Sequence, residues 1–155
     1  YGDNLAAPRY SANFENDEKI VVRQTSDTLI ATLDTEQFIC LKNLHVITSL
    51  GSSDLCLKYV LSLINSKLLD FYHYLLNPEK GEALAEIKKE NLEKLPIKNI
   101  SKKEQQPFID KVDQILSLKK DNPAADTSAL EREIDFMVYA LYGLSEEEIG
   151  IVEGS

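Results

Sequence analysis

The stretch from residue 53 to residue 77 constrains this chain most. Leu57, Val60, Leu61, Ile64, Leu68, Phe71, Tyr72 and Leu75 recur at steps of three and four, the period of one helix face. Gly51-Ser52-Ser53-Asp54 opens the segment, with Ser53 or its neighbour as the expected N-cap. Asn77-Pro78 closes it, because proline pushes its predecessor out of the helical region. A helix with one long apolar stripe must bury that stripe against other elements. The question is what the rest of the chain offers.

On the N-terminal side it offers strands. Residues 19–25 (Lys-Ile-Val-Val-Arg-Gln-Thr) are β-branched, 28–33 follow the turn signal Ser26-Asp27, and 37–41 follow Asp34-Thr35-Glu36. The pattern resumes at 43–47. This spacing predicts an antiparallel meander. On the C-terminal side it offers helices. Ser101…Glu104, Ser128…Glu131 and Ser145…Glu148 have the spacing of capping boxes, and Gly143 is a helix stop. Between the two, Glu79-Lys80-Gly81 reads as a loop and residues 88–94 as one or two helical turns. Leu95-Pro96-Ile97 reads as extended chain. The expected fold is α+β: a small β-rich half with a central amphipathic helix, then a hairpin-like helical tail. The expected organisation is an entering segment over 1–18, a main domain over 19–121 and a helical tail over 122–155. Since Tyr1 is not an initiator, the chain reads as a piece of something longer.

Several function classes find no support. There is no apolar run of the ~18 residues that a membrane span needs. Cys40 and Cys56 lie apart with no CxxC partner and read as reduced thiols of a cytoplasmic protein. His45 and His73 form no metal-ligand pair. Nucleotide-binding loops and the GxSxG elbow are absent. Asn77-Pro78 matches only the first half of the loop with which adenine methyltransferases hold a flipped base, so it reads as a helix stop. Glu86-Ile87-Lys88 spells half of a nuclease metal site. Asp70 lies upstream, but it falls within the helical stripe and belongs to no Pro-Asp pair. The chain itself is therefore read as non-catalytic.

Charge is more informative. The formal total is −9, which argues against a free-standing basic DNA binder. Its distribution is uneven. Residues 80–103 hold seven lysines and four glutamates, whereas residues 126–155 hold eight acids and only Arg132. The first 125 residues carry 16 bases and 18 acids. The acidic tail is thus expected to face away from any polyanion, and the body to bind duplex weakly without a partner domain. Lys80, Lys88 and Lys89 are candidates for phosphate contact. Arg23, Gln24, Lys42, Asn43 and His45 form a second group, in or between strands. Arginine paired with guanine, and Asn or Gln paired with adenine, are the geometric matches of major-groove readout.

Four segments also carry a resemblance. The run Lys19-Ile-Val-Val-Arg-Gln-Thr-Ser-Asp-Thr-Leu-Ile-Ala-Thr-Leu-Asp resembles the opening of the TaqI-like C-terminal specificity domain. Leu61-Ser-Leu-Ile-Asn-Ser-Lys-Leu-Leu-Asp-Phe-Tyr is similar to a helix of that family. Leu95-Pro-Ile-Lys-Asn-Ile, followed by Glu104-Gln-Gln-Pro-Phe-Ile, resembles a segment shared with the specificity subunits of type I restriction enzymes, although Lys98 stands where a proline is usual. The tail from Glu133 to Ile149 resembles the helical end of type IIG restriction–modification proteins.

The resemblance implies a bacterial target recognition domain that reads double-stranded DNA. It also implies an upstream adenine-N6 methyltransferase domain as covalent partner. S-adenosylmethionine belongs to that domain, and Mg²⁺ to a nuclease where the parent carries one; neither is implied for this chain. The module would hold a target adenine where its partner can flip it. The competing expectation is a protein–protein docking module on a methyltransferase.

Overall fold

The computed structural model describes residues 16–40, 43–49, 53–77 and 85–154. Its β half is a three-stranded antiparallel sheet of β1 (Lys19–Arg23), β2 (Ala31–Asp34) and β3 (Leu44–Ile47). The helical part is α1 (Leu57–Ile64), α2 (Lys67–Leu76), the single turn α3 (Lys89–Leu92), α4 (Lys102–Asp121), α5 (Ser128–Tyr142) and α6 (Glu146–Glu153). The fold is α+β with a C-terminal helical tail.

The strand order is β2-β1-β3 and not sequential. β1 pairs Ile20 with Leu33 on one side and with Ile47 on the other. Residues 37–40, expected as a strand, are not one. The Asp34 carboxylate draws in the amides of Glu36 (2.8 Å) and Phe38 (3.0 Å), and Gln37 takes a left-handed φ of 57°. These bonds curl the chain out of the sheet plane, so the next run, β3, pairs with the free edge of β1.

Strand alternation gives the sheet two faces. Ile20 and Val22 point into the core with Ala31, Leu33 and Ile47. The opposite face carries Val21 and Arg23. It also carries Lys19, which is fully buried and 2.6 Å from Asp34. Burial alone raises the Asp34 carboxyl. Lys19 and the two loop amides outweigh burial and hold it below the ordinary carboxylate value.

The first half of the expected apolar stripe, Leu57 to Ile64, is buried on α1, but α2 buries Leu69 and His73 and leaves Tyr72 and Leu75 exposed, so two helices with different faces replace the one expected. The period runs through Asn65-Ser66 without a mark in the pattern, yet the helix breaks there. Ser66 caps α2 by accepting the Leu69 amide. The Asn65 carboxamide pairs with both backbone groups of Ala31, at 2.9 Å each. Asp70 accepts the Leu29 amide at 2.7 Å. Together they cover an edge strand whose unpaired backbone would otherwise invite another strand. The N-cap of α1 is Cys56 rather than Ser53, and no side chain caps it.

Sheet, α1, α4 and α5 share one core, in which Tyr59 meets Phe108 edge-on with centroids 5.4 Å apart. Gln105 is fully buried. It accepts the Cys56 amide (2.9 Å) and donates to the carbonyls of Asp54 (3.1 Å) and Ile100 (3.0 Å). Leu95-Pro96-Ile97, expected as extended chain, makes a tight turn in which the Ile97 amide donates to the Leu95 carbonyl at 2.9 Å. The turn and the segment that follows are pinned by Tyr59, whose hydroxyl donates to Lys98 (2.7 Å), and by the Tyr142 hydroxyl, which donates to Pro96. Burial pushes the Tyr59 hydroxyl up to about 12.

The capping boxes at Ser101 and Ser145 form, and Gly143 closes α5 with a φ of 74°. The expected box at Ser128 does not. The N-cap is Thr127, one residue earlier, and its hydroxyl donates to Glu131 at 2.6 Å. α5 adds Ile134 and Val138 to the shared core. Its buried Asp135 accepts the first amide of α2, from Lys67, at 2.9 Å.

Candidate nucleic-acid interface

β1 and β3 run antiparallel, so the C-terminal end of β1 lies beside the N-terminal end of β3. Arg23 is opposite Leu44, and Val22 is opposite His45. Beyond β1 the Gln24 amide donates to Asn43 at 3.0 Å, while the Gln24 carbonyl accepts from Ile87 at 2.7 Å. Thr25 makes an isolated antiparallel bridge with Glu86. A segment more than sixty residues away thus extends the sheet at this end and carries Lys88 and Lys89 with it. Of eight residues proposed from sequence, six fall among the described residues, and the fold brings them to one end of the sheet. Lys42 and Lys80 lie outside the described residues.

The six do not play equal parts. Arg23 and Asn43 are exposed and Gln24 is half-buried. Among the described residues no hydrogen bond or ion pair engages their side chains, although the backbones of all three are bonded or strand-paired. Such a residue has a fixed Cα and a side chain available to a ligand. His45 is different. It lies on the core side of the sheet, and its Nε2–H donates to the Ile87 carbonyl at 2.6 Å. This bond fastens the 85–88 segment to β3, so His45 positions its neighbours.

Lys88 and Lys89 are exposed. The Lys88 ammonium donates to Asn77 Oδ1 at 3.4 Å, and Lys89 makes a surface pair with Glu93 at 3.3 Å. A pair of that kind contributes little and is easily exchanged for a phosphate. Asn77 was legible only as a helix stop. It ends α2 and donates through Nδ2 to the Glu86 carbonyl at 3.1 Å. Asp70 has the structural role given above, at the β2 edge. Among the described residues no group of three or more His, Cys, Asp or Glu is placed to hold a metal ion.

α2 separates the two charge regions. Its C-terminus meets the sheet end through Asn77, and its N-terminus meets the acidic tail through Asp135 and the Lys67–Glu153 pair (3.6 Å). Ten residues of helix span about 15 Å. That exceeds the Debye length of about 8 Å at physiological salt, so the tail's carboxylates are largely screened from the sheet end. Burial is the main influence on the Asp135 carboxyl and raises it.

Comparison with known families then gives one match. The profile of the TaqI-like C-terminal specificity domain covers residues 2–97. The match begins within the polar entering segment and ends in the Leu95-Pro96-Ile97 strip, so it takes in the sheet, α1, α2 and the bridging segment around Glu86. No curated protein and no solved structure matches the chain. Among the described residues no helix is long and apolar enough to cross a membrane.

Proposed function

The chain belongs to the TaqI-like C-terminal specificity domain family, the DNA sequence-specificity modules of restriction–modification enzymes, and on that premise we propose that its sheet end reads a short duplex site. Arg23, Gln24 and Asn43 supply the contacts to base edges, with Lys42 beside them in sequence. Lys88 and Lys89, together with Lys80, contact the flanking phosphates. The observation that carries this reading is the contrast at the sheet end: backbones tied down, readout-type side chains unengaged. A bidentate contact tells one base pair from another only if its donor is held in register, and strand pairing does that.

In this reading the module serves an adenine-N6 methyltransferase domain in the bacterial cytoplasm. It grips the duplex on one side and sets which adenine faces the partner's pocket. Methyl transfer and its S-adenosylmethionine belong to the partner, and cleavage with Mg²⁺ to a nuclease where one is joined. A near-neutral body holds DNA weakly by itself, so affinity comes from both domains together.

The test is to map N6-methyladenine in the genome of a host that expresses the full-length protein. The expected result is methylation confined to one short motif, and loss or change of that motif when Gln24 and Asn43 are both replaced by alanine. Methylation of an unchanged motif by the variant would move readout elsewhere. Absence of any motif, with the chain bound instead to a methyltransferase of fixed specificity, would favour the docking module.

A further inference from the structure

Apart from the bridge between Thr25 and Glu86, residues 85–88 belong to no strand or helix. Strips of that kind ordinarily move against their frame. This one is held from three sides. The Gln24 carbonyl, just beyond β1, accepts the Ile87 amide at 2.7 Å. His45 on β3 donates to the Ile87 carbonyl at 2.6 Å. Asn77, at the end of α2, donates through Nδ2 to the Glu86 carbonyl at 3.1 Å. The side chains of Ala85 and Ile87 are buried, whereas Glu86 and Lys88 are exposed. Lys88 then becomes the N-cap of α3, and its carbonyl accepts the amides of Asn91 and Leu92.

Two of these ties come from side chains, and no helix or strand ladder requires them. Water satisfies a carbonyl at a surface equally well. What the two side chains add is a fixed offset. His45 lies on the strand that follows Asn43 and two registers from Arg23, because β1 pairs Val22 with His45 and Arg23 with Leu44. Its bond ends at the residue directly before Lys88. Asn77 acts on the same strip from the other side, and its Oδ1 also accepts the Lys88 ammonium at 3.4 Å. Phosphate contacts fix the register of a protein on a duplex, and base contacts read sequence within that register. Both sets are made at once only when the groups that make them keep a constant spacing.

We infer that His45 and Asn77 are positioning residues for DNA recognition: they clamp residues 86–88 to β3 and α2, and so set the offset between Arg23 and Asn43, which read bases, and Lys88 and Lys89, which contact phosphates. The inference rests on the proposed DNA reading and adds the residues that keep its two halves in register.

The experiment uses the full-length protein. It measures the ratio of affinity for a duplex carrying the methylation motif to affinity for a random duplex. Wild type is expected to prefer the motif. Asn77→Ala and His45→Ala should each lower the ratio, together by about tenfold. The salt dependence of random-duplex binding should stay as in wild type, because both lysines remain. His45→Gln should restore most of the ratio, since a carboxamide N–H can take the place of the Nε2–H. In a Lys88→Ala, Lys89→Ala background, Asn77→Ala should lower the ratio no further. His45 faces the core, so if His45→Ala melts early, Asn77→Ala and His45→Gln carry the test. Wild-type preference in Asn77→Ala would overturn the clamp and leave the DNA reading intact. So would an equal loss with and without the two lysines, which would mean that these side chains only support the sheet. Absence of any motif preference in wild type would remove both readings.

Discussion

Asn65 and Gln105 sit where helices and strands join, and their carboxamides are spent on backbone groups of Ala31, Cys56, Asp54 and Ile100. Gln24 and Asn43 sit at the sheet end, where the backbones are bonded and no described residue engages the carboxamides. The same chemical group serves the frame in one region and is unengaged by any described residue in the other. Gln105 is fully buried and must find partners inside the protein or cost its desolvation, whereas Asn65 is exposed and is engaged because the Ala31 backbone lies opposite it. Gln24 and Asn43, whose carboxamides no described residue engages, keep their donors and acceptors for exchange with water. Two of the runs that carry the family resemblance, around Asn65-Ser66 and Leu95-Pro96-Ile97 with Gln105, thus serve the scaffold, whereas the first, residues 19–34, supplies β1 and β2 and also carries Arg23 and Gln24.

Substitutions should separate the two regions, with the frame giving the larger effects on stability. Asp34→Ala should cost about 3–5 kcal/mol in denaturant unfolding, since it leaves the Lys19 charge buried without its carboxylate. A cost under about 1 kcal/mol would mean that the pair is dispensable to the sheet. Gln105→Ala should cost about 2–3 kcal/mol, because three backbone groups lose their partner at once. Wild-type stability there would undo the distinction between consumed and available amides.

Effects at the sheet end should appear in binding instead. Lys88→Ala with Lys89→Ala should leave unfolding within about 0.5 kcal/mol of wild type. It should also flatten the dependence of log affinity on log salt by about 2 in a titration of the full-length protein. An unchanged slope would place the phosphate path elsewhere.

The smallest effect concerns the two capping boxes. Hydrogen bonds from Ser101 and Ser145 hold the Glu104 and Glu148 carboxyls below their ordinary value. Their contribution is present above the unfolded pKa and is lost as pH falls through the lower folded values. Melting temperature should therefore decline slightly less steeply on the acid side in Glu104→Gln with Glu148→Gln than in wild type. Parallel declines would show that these caps do not titrate with folding.

Features set by neighbours in sequence were legible. The boxes at Ser101 and Ser145 and the Gly143 stop depend on residues within a turn of each other. Features set across the fold were not. The apolar period passes straight through Asn65-Ser66, and only the bond to Ala31, 34 residues away, shows why the helix breaks there. Likewise 37–40 has strand composition, but the Asp34 carboxylate claims its amides. The grouping of Arg23, Gln24, Asn43 and His45 was readable from residue type. The arrival of Lys88 beside them depends on a pairing between Thr25 and Glu86 that no local pattern announces.

If the sheet end carries specificity without carrying the fold, selection of preferred sites from a randomised duplex pool should separate the full-length protein from its Arg23→Ala, Gln24→Ala, Asn43→Ala variant. The variant is expected to melt with wild type yet lose preference at one or more positions, each by about 1–3 kcal/mol. The same selected motif at the same strength from both proteins would contradict it.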